Sequence, residues 1–447
     1  MSVDESLALR PGVYSTTSPD GGRMLMAWPH VRSLGRLDAD QEAALRRLAE
    51  GSHSATEFGG TVADLVAELR DGGWLSVTVV HDGQPLYTVV PLRPPPPVPE
   101  KVEPALVLSR FAVLHRDDDR FVIESPRSWC EITVHHHDVL AAVHDDTGLS
   151  GEAAERLWQD LRWAELAVPP SDAEETELRL RQWSAHELWF HERSRMGNHG
   201  YLGDDFGGTF WARGIFDPVP ARPVPYPEPT IDLHRPDLTA LAAEDPTMTT
   251  ILESRQSIRD HDDNTPLTVT QLGEFLYRCA RTRDVRTIDG VEHTSRPYPS
   301  GGSVYELELY PVVRLVSGLE PGMYHYDSIE HCLRRVRPMS DRAVRRMLRV
   351  AGHGSAVGFE PQVLVAVSAR VGRIMWKYQA MAYSLILKHV GVLYQTMYCV
   401  ATAMNLAPCA LGGGDSLAFT QATGRDPFEE PCVGEFLLGS RAAGAAA

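Results

Sequence analysis

The chain has 447 residues, 43% hydrophobic and 23% charged, with a formal net charge of -17 at pH 7; it is too long for one ordinary core and suits a globular protein of two to four domains. That charge argues against nucleic acid or an anionic membrane as the main partner, because phosphate binding needs a basic surface. Six scattered cysteines without a Cys-x-x-Cys pair, and a start (MSVDESLALRPGVYS) lacking both parts of a secretory signal, are those of a cytoplasmic protein.

Residues 1–92 hold two helical runs, DADQEAALRRLAEG and TVADLVAELRDGG, followed by alternating strands WLSVTVV and PLYTVVPL across an HDGQ turn. Helices followed by a hairpin predict a small winged-helix-like module. RPPPPVPEK at 93–101 is a stiff polyproline spacer. A similar pattern occupies 101–172, with strands LSRFAVLHR, FVIES and CEITV and helices HDVLAAVHD and SGEAAERLWQDLRWAEL, and predicts a second winged-helix-like module. Their acidity makes a peptide laid along an open strand edge a better ligand than DNA. His135, His136 and His137 are adjacent, and on a strand they would point to opposite faces. No Cys or carboxylate is spaced to complete a metal site, so no metal is expected.

Residues 173–230 predict a linker arm. Its first part, EETELRLRQWSAHELWFHERSR, predicts one helix with Leu178, Trp183, His186 and Phe190 near one face, and a Gly- and Pro-rich extended stretch follows. From residue 231 to 441 helices alternate with strands, which predicts a layered domain of mixed helix and sheet, an α+β class for the chain. Thr268 to Gln271 is a capping-box pattern ahead of a helix whose Leu272, Phe275, Leu276 and Cys279 share a face. Strand-like YELELYPVVRLV, CLRRVRP, QVLVAVSAR and CVGEFLLGS and a helix at DRAVRRMLRVAG fill out the domain. Between Trp376 and Gly414, apolar residues recur at the three-and-four spacing of one long central helix, with Lys377-Tyr378 at its start, Pro408 ending it and a glycine run beyond. Polar Gln395, Thr396, Thr402 and Asn405 interrupt the uncharged run, and positive flanks are missing, so it does not predict a membrane span.

Three pieces of the last domain could hold an anionic cofactor. Arg255, Ser257 and Arg259 alternate along an extended segment, so two guanidinium groups and a hydroxyl face one way, a fork suited to a phosphate monoester. Taken alone, the same pattern also fits a solvated strand. Pro299-Ser300-Gly301-Gly302 is a turn where a flat ring could approach backbone amides. Leu411-Gly412-Gly413-Gly414 is a second such turn or merely a helix C-cap.

Together with Lys377-Tyr378, the pieces SRQSIRDH, PYPSGGSVYELELY, WKYQAMAYSLILKHVGVLYQTMYCVATAMNLAPCALGGGDS and VGEFLLGS, over roughly 250–440, resemble the flavin-dependent nitroreductase fold. Within it they resemble the SagB-type thiazoline and oxazoline oxidases that mature azole-containing ribosomal peptides of the streptolysin and cyanobactin kinds. WSAHELWFHERSRMGNHGYLGDDFGGTF at 183–210 resembles the connecting segment of those oxidases. The resemblance implies FMN held by Arg255, Ser257, Arg259, the Pro299, Ser300, Gly301 and Gly302 turn, Leu411, Gly412, Gly413 and Arg441. It also implies a homodimer with the flavin at the subunit boundary, an azoline-containing precursor peptide as substrate and a cyclodehydratase as partner.

Aromatising an azoline removes a hydride and a proton from adjacent carbons. The resemblance implies that flavin N5 takes the hydride, with reoxidation by O2, and that Lys377 and Tyr378 serve the proton step. A reductase of small quinones or nitro compounds using a nicotinamide cofactor, and a non-catalytic peptide-binding subunit of a biosynthetic complex, are the two other readings. The long N-terminal region argues against the first, and intact Lys377, Tyr378 and flavin-site residues against the second.

Overall fold

The computed structural model describes residues 3–27, 30–99, 105–145, 147–170, 173–195, 206–227, 229–354 and 360–442. The chain divides into two compact units, residues 1–207 and 208–447, whereas the sequence boundary was expected at 230–231. Residues 196–205, which open the expected extended stretch, lie outside the described residues.

In the first unit the helices form as expected, Ala39–Glu50 with an Asp38–Gln41 capping box and Thr61–Asp71. The hairpin of Leu75–His81 and Gln84–Pro91 turns through Asp82 and Gly83, both at positive φ, as a two-residue hairpin loop requires. The two expected modules share a single seven-stranded sheet. Its order is His53–Ser54, Val3–Leu9, Leu75–His81, Gln84–Pro91, Cys130–Val134, Arg120–Glu124, Val113–Asp117. Gln84–Pro91 pairs antiparallel with Cys130–Val134, bringing Val89 opposite Ile132 and Tyr87 opposite Val134. The hairpin edges expected to be open for a peptide are therefore covered by Val3–Leu9 and Cys130–Val134. A strand edge lies instead at Val113–Asp117.

The single helix expected at 175–195 is three short ones, Ala173–Thr176, Leu178–Arg181 and Ala185–Arg193. Ser184 and Glu187 form a capping box that starts a new helix. The break resets the inward face. Leu178 is exposed, while Leu180 is buried and the Trp189 ring N–H donates to the Phe111 carbonyl at 3.2 Å. His135–His137 do not share a strand, because the strand ends at Val134 and a helix begins at His137. His135 pairs with the Thr88 hydroxyl, and His136, His137 and Asp138 come together in space.

The second unit is an antiparallel sheet with helices on both faces. Strand order is Thr230–Asp232, Cys332–Pro338, Gly322–Asp327, Leu307–Val313, Val363–Ala369, Cys432–Ser440, Leu406–Leu411. Alternation along Leu307–Val313 sends Leu307, Leu309 and Val313 to one core and Tyr310 and Val312 to the other. The first core takes the helix Val269–Ala280, whose capping box and four-residue buried face are as expected, and the long helix Ala382–Ala403. Ile386, Leu393 and Met397 of the long helix have no exposed surface, and each stabilises the unit by about 1.5–3 kcal/mol. The second core takes helices Arg342–Gly354 and Ser416–Thr423.

The long helix is shorter at both ends than its sequence pattern. A separate short helix ends at Met375, Ala380 sits at φ 62, and the long helix begins only at Ala382. Lys377 and Tyr378 are therefore in the connection, where the Thr209 backbone N–H donates to the Lys377 carbonyl at 3.2 Å. At the other end the helix stops at Ala403, and Asn405 at φ 53 turns the chain into Leu406–Leu411. Pro408 lies within that strand, which is a sheet edge where a missing N–H is tolerated. No helix among the described residues is long and apolar enough to cross a membrane.

Candidate functional site

The sequence-predicted site residues gather at two places along the long helix, one around His389 and one around Tyr398. Nine residues of helix separate the two, about 13 Å at 1.5 Å per residue.

Around Tyr398, Arg255 ends the helix Met248–Ser254 and the chain then runs extended beside the edge strand, with the Ile258 N–H donating to the Pro408 carbonyl at 2.8 Å. The Arg255 guanidinium lies over the Tyr398 ring, 5.1 Å from its centroid. Ser257 Oγ is 2.7 Å from the Tyr398 hydroxyl, which also accepts the Ala410 N–H at 2.8 Å. Burial pushes the Cys409 thiol up, and the nearby Arg259 and Ser257 oppose that shift. Neither Arg255 nor Arg259 has a carboxylate partner among the described residues.

Leu411 closes the edge strand and Gly412 and Gly413 follow in the open, where an added Cβ would meet nothing within 4 Å. Gly414 is different: a Cβ there would lie 2.5 Å from Glu435 Oε1, the atom that accepts the Asp415 N–H at 3.2 Å. Burial pushes the Glu435 carboxyl up to about 7. Arg441 lies at the other end of the edge strand, just past Ser440 opposite Leu406, pairing in an isolated bridge with His261 and donating to Asn405 Oδ1 at 3.4 Å. The result is a cationic, backbone-exposing edge suited to an anion.

Around His389 the turn Pro299–Gly302 is held through the Ser300 hydroxyl, the Gly301 N–H and the Gly302 carbonyl. The Gly301 N–H donates to His389 Nε2 at 2.8 Å. Since Nε2 accepts, Nδ1 carries the ring proton, and it donates to Glu306 Oε1 at 2.7 Å. Glu306 and His389 are both buried. Ser300 Oγ accepts the Tyr305 N–H at 3.1 Å and donates to Glu306 Oε2 at 3.4 Å, so that hydroxyl serves the turn. Gly302 stands at φ 61, and a Cβ there would meet Lys377 Cδ at 2.5 Å. Only glycine lets the lysine chain pass. Lys377 Nζ donates to the Gly302 carbonyl at 3.1 Å, and Tyr378 packs against the same core with its ring edge beside Gly301.

A cavity of about 790 Å³ opens beside Lys377, lined among others by Ile215, Phe216, Ile288, Val291 and His293. Its size falls within the usual range for ligand pockets. Ile215, Phe216 and Ile288 are exposed apolar groups, and with Arg213, Asp217 and Asp289 also in the lining the space suits an organic substrate that carries polar groups. The Arg373 side chain also lines it, and burial, aided by Arg370 and Arg296, pushes that guanidinium down to about 10.

Tyr398, Glu306, His293, His389 and Glu435 are candidate-site residues that sequence reasoning missed. Two signals were available. Glu306 interrupts the apolar strand pattern YELELY, and His389 is a polar residue at an inward position of the long helix.

Residues 106–200 match the model for the cyanobactin oxidase ThcOx, and residues 252–439 match the nitroreductase family. A protein of Methanocaldococcus jannaschii named as a nitroreductase is 27% identical over 183 residues, 41% of this chain and 84% of that protein. The microcin B17-processing protein McbC of Escherichia coli is 28% identical over 116 residues, 25% of this chain and 42% of McbC. Among solved structures, a nitroreductase-named protein of Ralstonia eutropha aligns with a TM-score of 0.38 at 19% identity, covering 51% of this chain and 98% of that one. The E. coli microcin synthetase McbBCD complex with truncated pro-MccB17 bound aligns with a TM-score of 0.37 at 19% identity, covering 52% and 91%.

Proposed function

We propose that this chain, a member of the nitroreductase superfamily with a ThcOx-type oxidase domain ahead of its nitroreductase domain, is an FMN-dependent azoline oxidase. It would convert thiazoline or oxazoline rings of a ribosomally made precursor peptide to azoles. The observation that carries this reading is the order of the two matched domains, 106–200 and then 252–439. A reductase of small molecules has no use for the first. The similarity to McbC, whose name states microcin B17 processing, supports a peptide substrate and a cyclodehydratase partner. A homodimer, with the first unit binding the peptide, belongs to the same proposal.

The residues present fit FMN. Arg255 and Arg259 are cations without a carboxylate partner among the described residues, and Gly412 and Gly413 leave backbone open beside them. Arg255, Ser257, Arg259 and Arg441 would hold the phosphate, with the Leu411–Gly413 and Pro299–Gly302 backbones as further contacts. Bound FMN supplies a two-electron hydride acceptor. The cavity beside Lys377 would take the ring and exclude bulk water. Lys377 and Tyr378 would serve the step in which the ring proton leaves, with Lys377 Nζ held by the Gly302 carbonyl.

The test starts with the colour of the purified protein and the identity of the released flavin. Mixed anaerobically with a thiazoline peptide, the protein should bleach as thiazole forms, and oxygen should restore the colour. Colourless protein that takes up no added FMN would remove the reading. Bleaching by a nicotinamide nucleotide with a nitro or quinone acceptor, and none by the peptide, would favour the reductase reading that the M. jannaschii similarity supports.

A further inference from the structure

Two donors converge on the carbonyl of Gly302, Lys377 Nζ at 3.1 Å and His293 Nδ1 at 3.1 Å. Their nitrogens can therefore lie no farther apart than twice that distance, and both side chains line the same cavity. A carbonyl oxygen only accepts, so His293 Nδ1 carries a proton, and in the neutral imidazole the lone pair lies on Nε2. His293 sits on Val291–Ser295, one arm of a two-stranded hairpin. Among the described residues that hairpin joins no other strand.

We infer that His293 is a further catalytic residue, accepting the ring proton at Nε2. The inference rests on the azoline reading and deepens it. Chemistry separates the two candidates at the Gly302 carbonyl. An ammonium has no lone pair, whereas an imidazole bound through Nδ1 offers one at Nε2. Imidazole is also the side chain whose neutral form is abundant near pH 7.

The ring α-carbon, acidified by its carbonyl and the C=N bond, loses its proton to His293 Nε2. The electron pair of that C–H bond becomes the new ring double bond, and bound FMN would supply the acceptor for the hydride that leaves the neighbouring carbon. The resulting imidazolium returns the proton to water through the cavity. Lys377 then acts as the cation beside the charge developing on the ring, which keeps it necessary without making it the base. The other charged groups lining the cavity are Arg213, Asp217, Asp289 and Arg373. The hydrogen bond from the His293 ring to the Gly302 carbonyl ties its position to that of Lys377.

The test isolates proton removal from oxidation. Holoenzyme reduced with dithionite cannot oxidise substrate, but its base can still exchange the ring α-proton of a synthetic leader-fused thiazoline peptide with D2O, read by mass spectrometry. His293→Asn keeps a side-chain N–H for the Gly302 carbonyl and removes the base. It should slow exchange and anaerobic bleaching by about 10²- to 10⁴-fold with flavin and peptide retained. His293→Gly, a second route should the Asn variant fold poorly, should regain exchange on adding imidazole.

In flavin-free protein, imidazole nitrogen NMR should find His293 protonated at Nδ1 and bare at Nε2. Wild-type exchange rates in His293→Asn, a folded glycine variant indifferent to imidazole, or the opposite tautomer each overturn the assignment while leaving the azoline reading standing. A wild-type enzyme that neither oxidises nor exchanges the peptide removes both.

Discussion

At the Tyr398 end of the long helix, Arg255 and Arg259 carry charge with no carboxylate opposite them among the described residues, and Gly412 and Gly413 stand in the open. At the His389 end, the Gly301 N–H, the Gly302 carbonyl and the Ser300 hydroxyl all have side-chain or backbone partners. One end leaves charge unsatisfied and so makes a place for an anion. The other spends its hydrogen bonds on holding a turn and a lysine in register, which is what positioning a reacting ring demands. Removing groups from the first should cost ligand; removing them from the second should cost turnover or fold.

The largest effect belongs to the lysine. Lys377→Ala should keep the flavin spectrum and peptide affinity yet lose about 10²- to 10⁴-fold in turnover, with Tyr378→Phe affected in the same step. Stopped-flow bleaching separates this from reoxidation. Fast bleaching with failed reoxidation would move both residues out of the proton step.

Next comes the buried pair. His389→Leu leaves the Glu306 carboxylate and the Gly301 N–H buried without their partner, which should cost about 3–5 kcal/mol in urea unfolding. Replacing both His389 and Glu306 by leucine should recover part of that loss. Equal stability of wild type and His389→Leu would show that the two ends do not differ as described.

Much of the second unit was legible because its signals are local. The Thr268–Gln271 box and the inward face of Val269–Ala280 need no distant partner, and the apolar spacing from Ala382 to Ala401 marks the long helix. Its ends were not legible. Nothing in composition marks Ala380 for the left-handed region, and Leu406–Leu411 is a strand only because Cys432–Ser440 pairs with it. The break at Ser184 was readable from its capping box but was masked by the helical composition around it. In the site, the Arg-x-Ser-x-Arg fork and the glycine turns are contiguous and stood out. His389 and Glu306, 83 residues apart, and His293, on the hairpin strand Val291–Ser295, become partners of the turn only through tertiary packing.

A smaller effect tests the cationic edge. Each of Arg255→Ala and Arg259→Ala should weaken flavin binding by about 1.5–3 kcal/mol, the worth of a hydrogen bond to a charged group, and the double variant by more than either. Unfolding of the flavin-free protein should move by no more than about 0.5 kcal/mol for Arg259→Ala and by about 0.5–1 kcal/mol for Arg255→Ala, whose guanidinium lies over the Tyr398 ring. A double variant that purifies with a full complement of flavin would remove the phosphate assignment and with it the contrast between the two ends.

A pH-dependent effect sharpens the comparison from beneath the glycine loop. Glu435 is buried, its Oε1 accepts the Asp415 N–H, and burial raises its carboxyl from 4.5 to about 7, with the Asp415 charge adding to that rise and its N–H opposing it. A raised acid keeps its proton in the folded protein after the unfolded chain has released its own. Stability contributed by this group is therefore complete below about pH 4.5 and is lost as pH rises through 7, at up to about 1 kcal/mol per pH unit. Glu435→Gln keeps a carbonyl for the Asp415 N–H and removes the titration. Its stability relative to wild type should rise between pH 5 and 7.5 and then level off. Denaturation midpoints of both proteins across that range measure the difference, and a constant gap would mean that Glu435 is ionised in the folded state, placing a negative charge under the edge that Arg255 and Arg259 make positive.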